Sequence, residues 1–229
     1  MLALKGLSLA QDDFRLEADL EIGPGVVAVI GPSGAGKSTL LAAIGGFLSP
    51  RRGRVSVEDR DITGLEPAAR PVAQLFQDGN LFPHLTVEQN VALGIRPRLR
   101  PAPEDRARSR EALARVGLQD LGARRPGQLS GGQQSRAALA RVLVQDKPVV
   151  LLDEPFGALG PGLKAEMLRL ARDTLAVPGR LVLMVTHDPG DAEAIARDVI
   201  LVAGGTATGP HDRTALFADP PPSLRSYLG

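Results

Sequence analysis

The chain has 229 residues, which suits one large α/β domain, and 43% of them are hydrophobic, enough for a packed core. Its 27 lysines and arginines nearly balance 26 aspartates and glutamates, so the net charge of +1 disfavours nucleic acid as a partner. The chain has no cysteine, which excludes disulfides and thiolate catalysis, and its three histidines are too few for a histidine-rich metal site. No apolar run approaches the ~20 residues of a membrane helix, and the N-terminus lacks the pattern of a signal peptide.

The first predicted elements are strands and a helix. Residues 14–22 alternate apolar and polar side chains, and this period of two predicts a half-buried strand. The short apolar run 26–30 predicts a strand buried on both faces, and it leads into a glycine-rich stretch. Helix formers then occupy residues 37–44, and Gly45 and Gly46 favour a helix stop. This part of the chain therefore predicts a strand, a glycine-rich turn and a helix.

The middle of the chain predicts a mostly helical insert over about residues 85–145. Three prolines within 96–103 favour a loop. A charged helix is predicted over 104–116, where Gly117 ends it, and a second helix over 130–144.

The last third of the chain predicts strands that alternate with helices. Predicted strands over 148–153 and 181–186 are rich in leucine and β-branched residues, and a predicted helix over 163–175 lies between them. Such alternation favours a parallel sheet. Residues 198–208 predict a terminal hairpin, and the prolines at 220–222 predict a C-terminal tail rather than a further domain.

A glycine-rich motif follows the first fully buried strand. It matches G-x-x-x-x-G-K-[ST] at every fixed position and consists of Gly31, Pro32, Ser33, Gly34, Ala35, Gly36, Lys37 and Ser38. The glycines let backbone N–H groups surround phosphate oxygens, and the next helix directs its positive end to the same place. Lys37 supplies a charge for the β- and γ-phosphates, and the Ser38 hydroxyl, with Thr39 beside it, suits Mg²⁺. The flanking strand and helix disfavour the alternative, a flexible surface loop, so the motif predicts nucleoside triphosphate binding by a kinase, a GTPase or an ATPase.

A second motif places two carboxylates at the end of a buried strand, in the segment Val149–Pro155. Ligands of open parallel sheets lie outside the carboxyl ends of the strands. Asp153 is therefore predicted to hold Mg²⁺ through its water shell, and Glu154 to polarise the attacking water as a base. The alternative is a strand end that two acids merely solvate, and the phosphate motif upstream disfavours it.

A third motif distinguishes between the classes of nucleotide-binding protein. Ser130 is a suitable N-cap, and Gly131 and Gly132, which precede Gln133, expose the first N–H groups of a helix. These residues predict a second anion site in a chain that already has one. An ordinary helix start after a glycine loop is the alternative for this segment alone.

Together these motifs resemble the ATP-binding cassette (ABC) family. The matching segments, in chain order, are Gly31–Thr39, Gln77, Leu129–Gln133, Leu151–Pro155 and His187. The resemblance implies an ATPase that uses ATP and Mg²⁺, and a head-to-tail pair of cassettes. Each ATP would be held between the phosphate loop of one copy and the Ser-Gly-Gly-Gln segment of the other, which accounts for two anion sites on one chain.

The resemblance also implies a fold class and a domain organisation. The fold expected is an α/β P-loop NTPase with a parallel-sheet core, N-terminal antiparallel strands and a helical sub-domain. The single domain would cover residues 1–229, with its core in about 1–84 and 146–229 and the helical sub-domain in about 85–145.

Three further residues take roles through the resemblance alone. Gln77 corresponds to the glutamine that senses Mg²⁺ and the attacking water, and a polar strand end is the alternative. His187 corresponds to the switch histidine that contacts the γ-phosphate, and its place after a strand favours this role over a structural one. Phe14 could stack on adenine, or it could begin the core alternation of its strand.

One segment departs from the family pattern. The family usually has Ser-Ala-Leu-Asp after the second motif, whereas this chain has Gly157-Ala158-Leu159-Gly160. The serine and aspartate side chains that normally link the two ATP sites are therefore missing. The departure questions tight coupling between the sites and leaves ATP binding as predicted.

Within the family, a second set of segments resembles the ATP-binding subunits of thiamine importers. These segments are Gly45–Leu48, Arg70–Val72, Leu75–Gln77, Asn80–Phe82, His84–Val87 and Met184–His187. The resemblance implies transmembrane permease subunits that dock near residues 82–87, an indirect periplasmic solute-binding partner, and a peripheral location on the cytoplasmic face of a bacterial inner membrane. The alternatives are an importer of iron, sulfate or another small solute, a non-transport ABC ATPase, a small-molecule kinase and a non-hydrolysing regulatory subunit.

Overall fold

Among the described residues, ten strands form one mixed sheet in the order β5-β4-β1-β2-β10-β9-β3-β8-β7-β6. The computed structural model describes residues 1–11, 14–98, 100–222 and 224–225. The strands are β1 Leu2–Gln11, β2 Phe14–Ile22, β3 Gly25–Ile30, β4 Arg52–Val57, β5 Arg60–Asp61, β6 Val72–Leu75, β7 Val149–Asp153, β8 Leu181–Val185, β9 Asp198–Ala203 and β10 Thr206–Asp212. The helices are α1 Lys37–Gly45, α2 Val87–Ala92, α3 Pro103–Arg115, α4 Gly131–Leu143, α5 Pro161–Leu175, α6 Pro189–Ile195 and α7 Arg213–Ala218.

The centre of the sheet is parallel, as the alternation of strands and helices predicts. β3 pairs with β8 and β9, and β7 pairs with β6 and β8, all in parallel. At the N-terminal side, β1 pairs with β2 and β4 in antiparallel fashion. The expected α/β class, with a parallel core and antiparallel N-terminal strands, is confirmed.

The sheet carries a hydrophobic core on each face, which explains the continuous apolar runs of the central strands. In β3, Val26, Ala28 and Ile30 face one core, which α3, α4 and α5 cover. The intervening Val27 and Val29 face the other core, which contains residues of β1, β2 and α1. Because successive side chains of a strand point to opposite faces, a strand buried on both faces cannot alternate in polarity.

The parallel register brings four strand ends to one edge of the sheet. Val29 pairs with Val185, Asp153 pairs with Val185 from the other side, and Leu75 pairs with Leu152. The segments that follow β3, β6, β7 and β8 therefore leave the sheet side by side. These segments contain the glycine-rich motif, Gln77, Glu154 and His187.

The predicted helices are present, with bounds that differ by one to a few residues from the predictions. α3 begins at Pro103, and α4 begins after Ser130, whose hydroxyl accepts the backbone N–H of Gln133. α2, α3 and α4 pack on one another within the segment predicted to be helical. No helix in the described ranges is long and apolar enough to cross a membrane.

The C-terminal segment, whose prolines predict a tail rather than a further domain, contributes two leucines to the core. Leu224 is completely buried and belongs to the core that α3, α4 and α5 cover. Leu216 of α7 is buried in the same core. The burial of these two leucines stabilises the packing of the C-terminal segment against the core, because each leucine removes apolar surface from water.

Candidate active site

The glycine-rich loop connects β3 to α1, and two of its glycines are required by close contacts. At Gly31, φ is +151°, and a Cβ atom would lie 2.0 Å from the carbonyl oxygen of Val202. At Gly36, the N-cap of α1, φ is +101°, and a Cβ atom would lie 2.3 Å from the Phe14 ring. A side chain at either position would therefore require both an unfavourable backbone conformation and a displaced neighbour.

Lys37 lies inside the loop that precedes it. Its Nζ atom donates to the carbonyl oxygens of Gly31, at 2.8 Å, and Pro32, at 2.9 Å, and the residue is only 6% exposed. Burial lowers the pKa of Lys37, while the negative charges of Glu154 and Asp153 oppose that change. The loop thus surrounds a cation whose remaining donor capacity suits a phosphate oxygen.

Ser38 and Asp153 bring together two oxygen donors from distant parts of the chain. The Ser38 hydroxyl donates to Asp153 Oδ1 at 2.9 Å. Burial raises the pKa of Asp153. The hydrogen bond from Ser38 lowers this pKa in part, the negative charge of Glu154 raises it further, and the positive charge of Lys37 lowers it. A hydroxyl and a carboxylate are hard oxygen ligands, the kind that Mg²⁺ prefers.

Glu154 and His187 form a contact at the same edge of the sheet. His187 Nδ1 lies 3.0 Å from Glu154 Oε2. The Glu154 backbone is left-handed, with φ of +44°, and its N–H donates to the Val185 carbonyl at 3.2 Å. A non-glycine residue in this region costs about 1–3 kcal/mol, and such strain occurs mostly at functional sites. The strained turn directs the carboxylate toward the histidine rather than along the strand.

These groups surround one cavity of about 850 Å³, within the range of small-molecule sites. Its lining includes the predicted residues Phe14, Ser33, Gly34, Gly36, Lys37, Ser38, Thr39, Glu154 and His187. Pro32 and Ala35 complete the loop, since the Ala35 N–H donates to the Pro32 carbonyl at 3.2 Å. Gln11 also lines the cavity and was missed, because no motif contains it.

Gln77 and the segment 130–133 do not line this cavity. Gln77 lines a second cavity of about 530 Å³, together with Gly131. Ser130 and Gln133 form a reciprocal capping box, in which the Gln133 side chain accepts the Ser130 N–H at 3.0 Å. Gly132 packs against Leu163 so closely that a Cβ atom would lie 2.8 Å from Leu163 Cδ2. One chain thus does not bring all the predicted nucleotide contacts to one place.

Within the described residues, no group of three or more histidine, cysteine, aspartate or glutamate side chains could hold a metal ion. Ser38 and Asp153 therefore fit Mg²⁺ only as part of a larger set of ligands. Mg²⁺ keeps several waters and binds substrate phosphates in such sites, so two protein oxygens are sufficient.

The family model for ABC transporters matches residues 16–157, more than half of the chain. The chain belongs to the ABC transporter family. Two curated relatives match over their whole length and that of this chain, both named "Thiamine import ATP-binding protein ThiQ". The protein from Cereibacter sphaeroides is 59% identical over 230 residues, and the protein from Ruegeria sp. (strain TM1040) is 56% identical over 230 residues.

A solved structure of another member of the ABC transporter family has the same fold. It is titled "Dimeric Structure of MJ0796, a Bacterial ABC Transporter Cassette", and it matches with a TM-score of 0.78 and 30% sequence identity. The match covers 93% of this chain and 99% of that chain. The prediction of an ABC-type ATPase fold and class is confirmed.

Sequence reasoning also missed a cluster of charges beside His187. Lys164 of α5 contacts Asp188 and Asp191, which lie just after the histidine. The partners are far apart in sequence, and no local pattern pairs them. A local signal was present for the start of α6: Asp188 is a suitable N-cap, and Pro189 a suitable first helical residue.

Proposed function

We propose that this chain is the ATP-hydrolysing subunit of a bacterial importer of thiamine or its phosphates. The proposal rests on two observations together. Full-length relatives are named for thiamine import, and the cavity is lined by a buried lysine, the carboxylate of Glu154 and a histidine, with Asp153 hydrogen-bonded to the lining residue Ser38. The solute need not touch this chain, so the assignment of thiamine rests on the relatives.

The phosphates of ATP would lie over the glycine-rich loop, where Lys37 and the N–H groups before α1 would bind them. Glu154 would accept a proton from the attacking water, and His187, 3.0 Å from it, would contact the γ-phosphate. Phe14, whose ring lies against Gly36 at the mouth of the cavity, would stack on adenine. Gln77, which lines the second cavity, would contact the attacking water and the metal.

Ser38 and Asp153 would hold Mg²⁺, with Gln77 as a further ligand. The 2.9 Å contact between the first two oxygens and the hard character of all three donors support this set. Bound there, the ion would neutralise charge on the β- and γ-phosphates.

A second copy of the chain would complete each ATP site with Ser130, Gly131, Gly132 and Gln133. Two observations support this: the segment does not line its own chain's phosphate cavity, and the similar MJ0796 cassette was solved as a dimer. The first N–H groups of α4 would then bind the γ-phosphate of the partner's ATP.

Transmembrane permease subunits would dock beside the helical segment 85–145, which we infer to be a sub-domain of the single domain 1–229. Phe82 supports docking near residues 82–87, because it is 47% exposed and packs edge-on against His84. The chain would then lie peripherally on the cytoplasmic face of the inner membrane, and a periplasmic solute-binding protein would act through the permease.

The variant Glu154→Gln tests the site. It removes the base and keeps the size of the side chain, so ATP hydrolysis should fall by orders of magnitude while ATP affinity is retained. Light scattering should then show an ATP-dependent dimer, whereas the parent and the surface variant Glu111→Gln remain mostly monomeric. Hydrolysis at the parental rate would refute the role of Glu154.

Uptake of labelled thiamine tests the solute. Cells whose only copy of this gene carries Glu154→Gln should lose uptake, and the parental gene should restore it. Thiamine phosphates should compete with the label, whereas sulfate and ferric iron should not. Uptake that is unaffected by the variant, or that follows sulfate or iron instead, would contradict the assignment of thiamine without affecting the assignment of the ATPase.

A further inference from the structure

The positively charged end of Lys164 lies between two carboxylates on another element. Lys164 belongs to α5, and its Nζ atom is 2.7 Å from Asp188 Oδ2 and 2.7 Å from Asp191 Oδ1. The lysine side chain is 16% exposed and that of Asp191 11% exposed, so water screens this pair poorly, whereas Asp188 is 47% exposed. Burial lowers the pKa of Lys164, but the hydrogen bonds and charges of the two aspartates outweigh it and raise the pKa overall. The lysine is therefore fully protonated at neutral pH.

The two aspartates fix the backbone on either side of His187. Asp188 caps α6, where its Oδ1 accepts the N–H of Gly190 at 2.9 Å. Thr186, on the other side, donates its hydroxyl to Asp191 Oδ2 at 2.6 Å and accepts the N–H of Asp188 at 3.0 Å. Both neighbours of His187 thus belong to one hydrogen-bonded cluster, which Lys164 completes.

Without the lysine, this cluster would contain two adjacent carboxylates and no bonded cation. Like charges this close repel, and Asp191 is too buried to be solvated in compensation. The hydrogen bonds of Thr186 and Asp188 would then rearrange, and the imidazole of His187 would lose its orientation toward Glu154. A shift of about 1 Å in a catalytic group reduces rates by about 100-fold in well-ordered sites.

We propose that Lys164 is a positioning residue for ATP hydrolysis, which holds His187 against Glu154 through Asp188 and Asp191. The proposal rests on the proposed function, because it requires that His187 acts on the γ-phosphate. Lys164 does not line the phosphate cavity in the described part of the chain, but it lines a small neighbouring cavity together with Glu154 and His187. The hydrogen bonds described above connect it to the histidine, and the double-mutant cycle below distinguishes this route from a direct effect on Glu154.

The experiment measures steady-state ATP hydrolysis by the full-length chain for Lys164→Met, Lys164→Arg and Asp191→Asn. The methionine variant should lower kcat by about ten-fold and change KM for ATP by less than about two-fold, because the phosphate loop is untouched. The arginine variant should recover most of kcat, since it restores the cation. Arg172→Met is the matched control, because Arg172 lies on the same helix and its side chain forms an exposed ion pair with Asp173. This variant should hydrolyse ATP at the parental rate.

A double-mutant cycle with His187→Ala separates positioning from a general structural role. If Lys164 acts through the histidine, Lys164→Met should cost nothing further in the His187→Ala background. Three results would overturn the proposal: Lys164→Met lowers kcat by the same factor in both backgrounds, the single variant has an unchanged kcat, or the single variant changes KM alone. If Lys164→Met does not fold, Asp191→Asn decides, since it keeps a hydrogen-bonding side chain at Thr186. A parental rate for His187→Ala alone would instead overturn the proposed role of the histidine.

Discussion

Gly160, where the family usually has aspartate, can accept that side chain without strain. It is the N-cap of α5, with φ of −63° and ψ of +156°, a conformation open to any residue. Apart from its two chain neighbours, no atom of the described residues lies within 4 Å of the position that its Cβ would occupy. Gly157, the other departure, is also compatible with a side chain, since its Cβ would lie 3.6 Å from His187 Cε1, an ordinary contact. The backbone therefore does not require either glycine.

Gly160→Asp should have two effects of different size. As an N-cap, aspartate improves on glycine by only a few tenths of a kcal/mol, so the free energy of unfolding should rise slightly. Across the proposed dimer interface, one new polar contact contributes about 1 kcal/mol, which is about five-fold in the closed dimer. We therefore expect the ATPase rate at limiting ATP, or its Hill coefficient, to increase several-fold at most, and Gly157→Ser to add to the effect.

The assay is a titration of ATP hydrolysis in the presence of the permease, combined with light scattering in the Glu154→Gln background to measure the dimer directly. Gly160→Asn can cap α5 equally well but carries no charge, so it shows whether the contact across the interface requires a carboxylate. Gly160→Ala supplies a Cβ atom without a polar group. If Gly160→Asp leaves the rate, the Hill coefficient and the dimer fraction unchanged in a folded protein, then the missing aspartate does not weaken coupling here.

Three further substitutions test the loop and its support. Lys37→Ala should nearly abolish ATP binding, measured by fluorescent-nucleotide titration, because it removes the buried cation that the loop surrounds. Gly31→Ala should destabilise the fold by about 1–3 kcal/mol in urea unfolding, because the methyl group would meet Val202 at 2.0 Å. Arg70→Met should lower the free energy of unfolding by about 3 kcal/mol or more, because Arg70 is 2% exposed and donates to backbone carbonyls, including Ala43 at 2.8 Å.

Each of these variants has a matched control elsewhere in the chain. Lys5→Ala removes an exposed lysine and should leave nucleotide affinity unchanged. Gly127→Ala adds a methyl group where, beyond the two chain neighbours, the described part of the chain has no atom within 4 Å, so it should leave stability unchanged. Arg172→Met removes an exposed arginine and should cost less than about 1 kcal/mol. A variant that behaves like its control would show that the contact in question does not contribute as its geometry suggests.

The sequence predicts most of the parallel core, because its signals are local. The runs that become β3, β7 and β8 are continuous and apolar, and each leads directly into a chemical motif. The strand β1 was missed for a physical reason. Leu2 and Leu4 are buried, and so are Leu7 and Leu9, but the register shifts between them at a bulge. The bulge changes the phase of the alternation, so a period of two does not extend along the strand.

Other features depend on contacts that no local pattern encodes. Arg70 donates to carbonyls of Ala43, Ile44, Thr63 and Leu65, which come from separate segments. Its burial would not be expected from composition, since arginine is mostly exposed. α2 is a different case, because Thr86 and Gln89 form a capping box whose sequence signature was present and could have located the helix.

The first turns of α5 connect the two proposed half-sites that one chain carries. Leu163 packs against Gly132 of α4, and Glu166 forms an ion pair with Arg136 of the same helix. Between them, Lys164 is directed to the cluster beside His187. Leu163 and Glu166 are three residues apart and share one face of the helix, whereas Lys164 lies on another face. The same helix therefore contacts α4 on one side and the histidine segment on the other. In the proposed dimer, a displacement of α4 toward a partner's ATP would either carry α5, and with it the support of His187, or break the contacts of α5 with Gly132 and Arg136. Since packed interiors transmit strain rather than absorb it, the intact contact favours the first result, even though the loop before α5 carries glycine at 157 and 160.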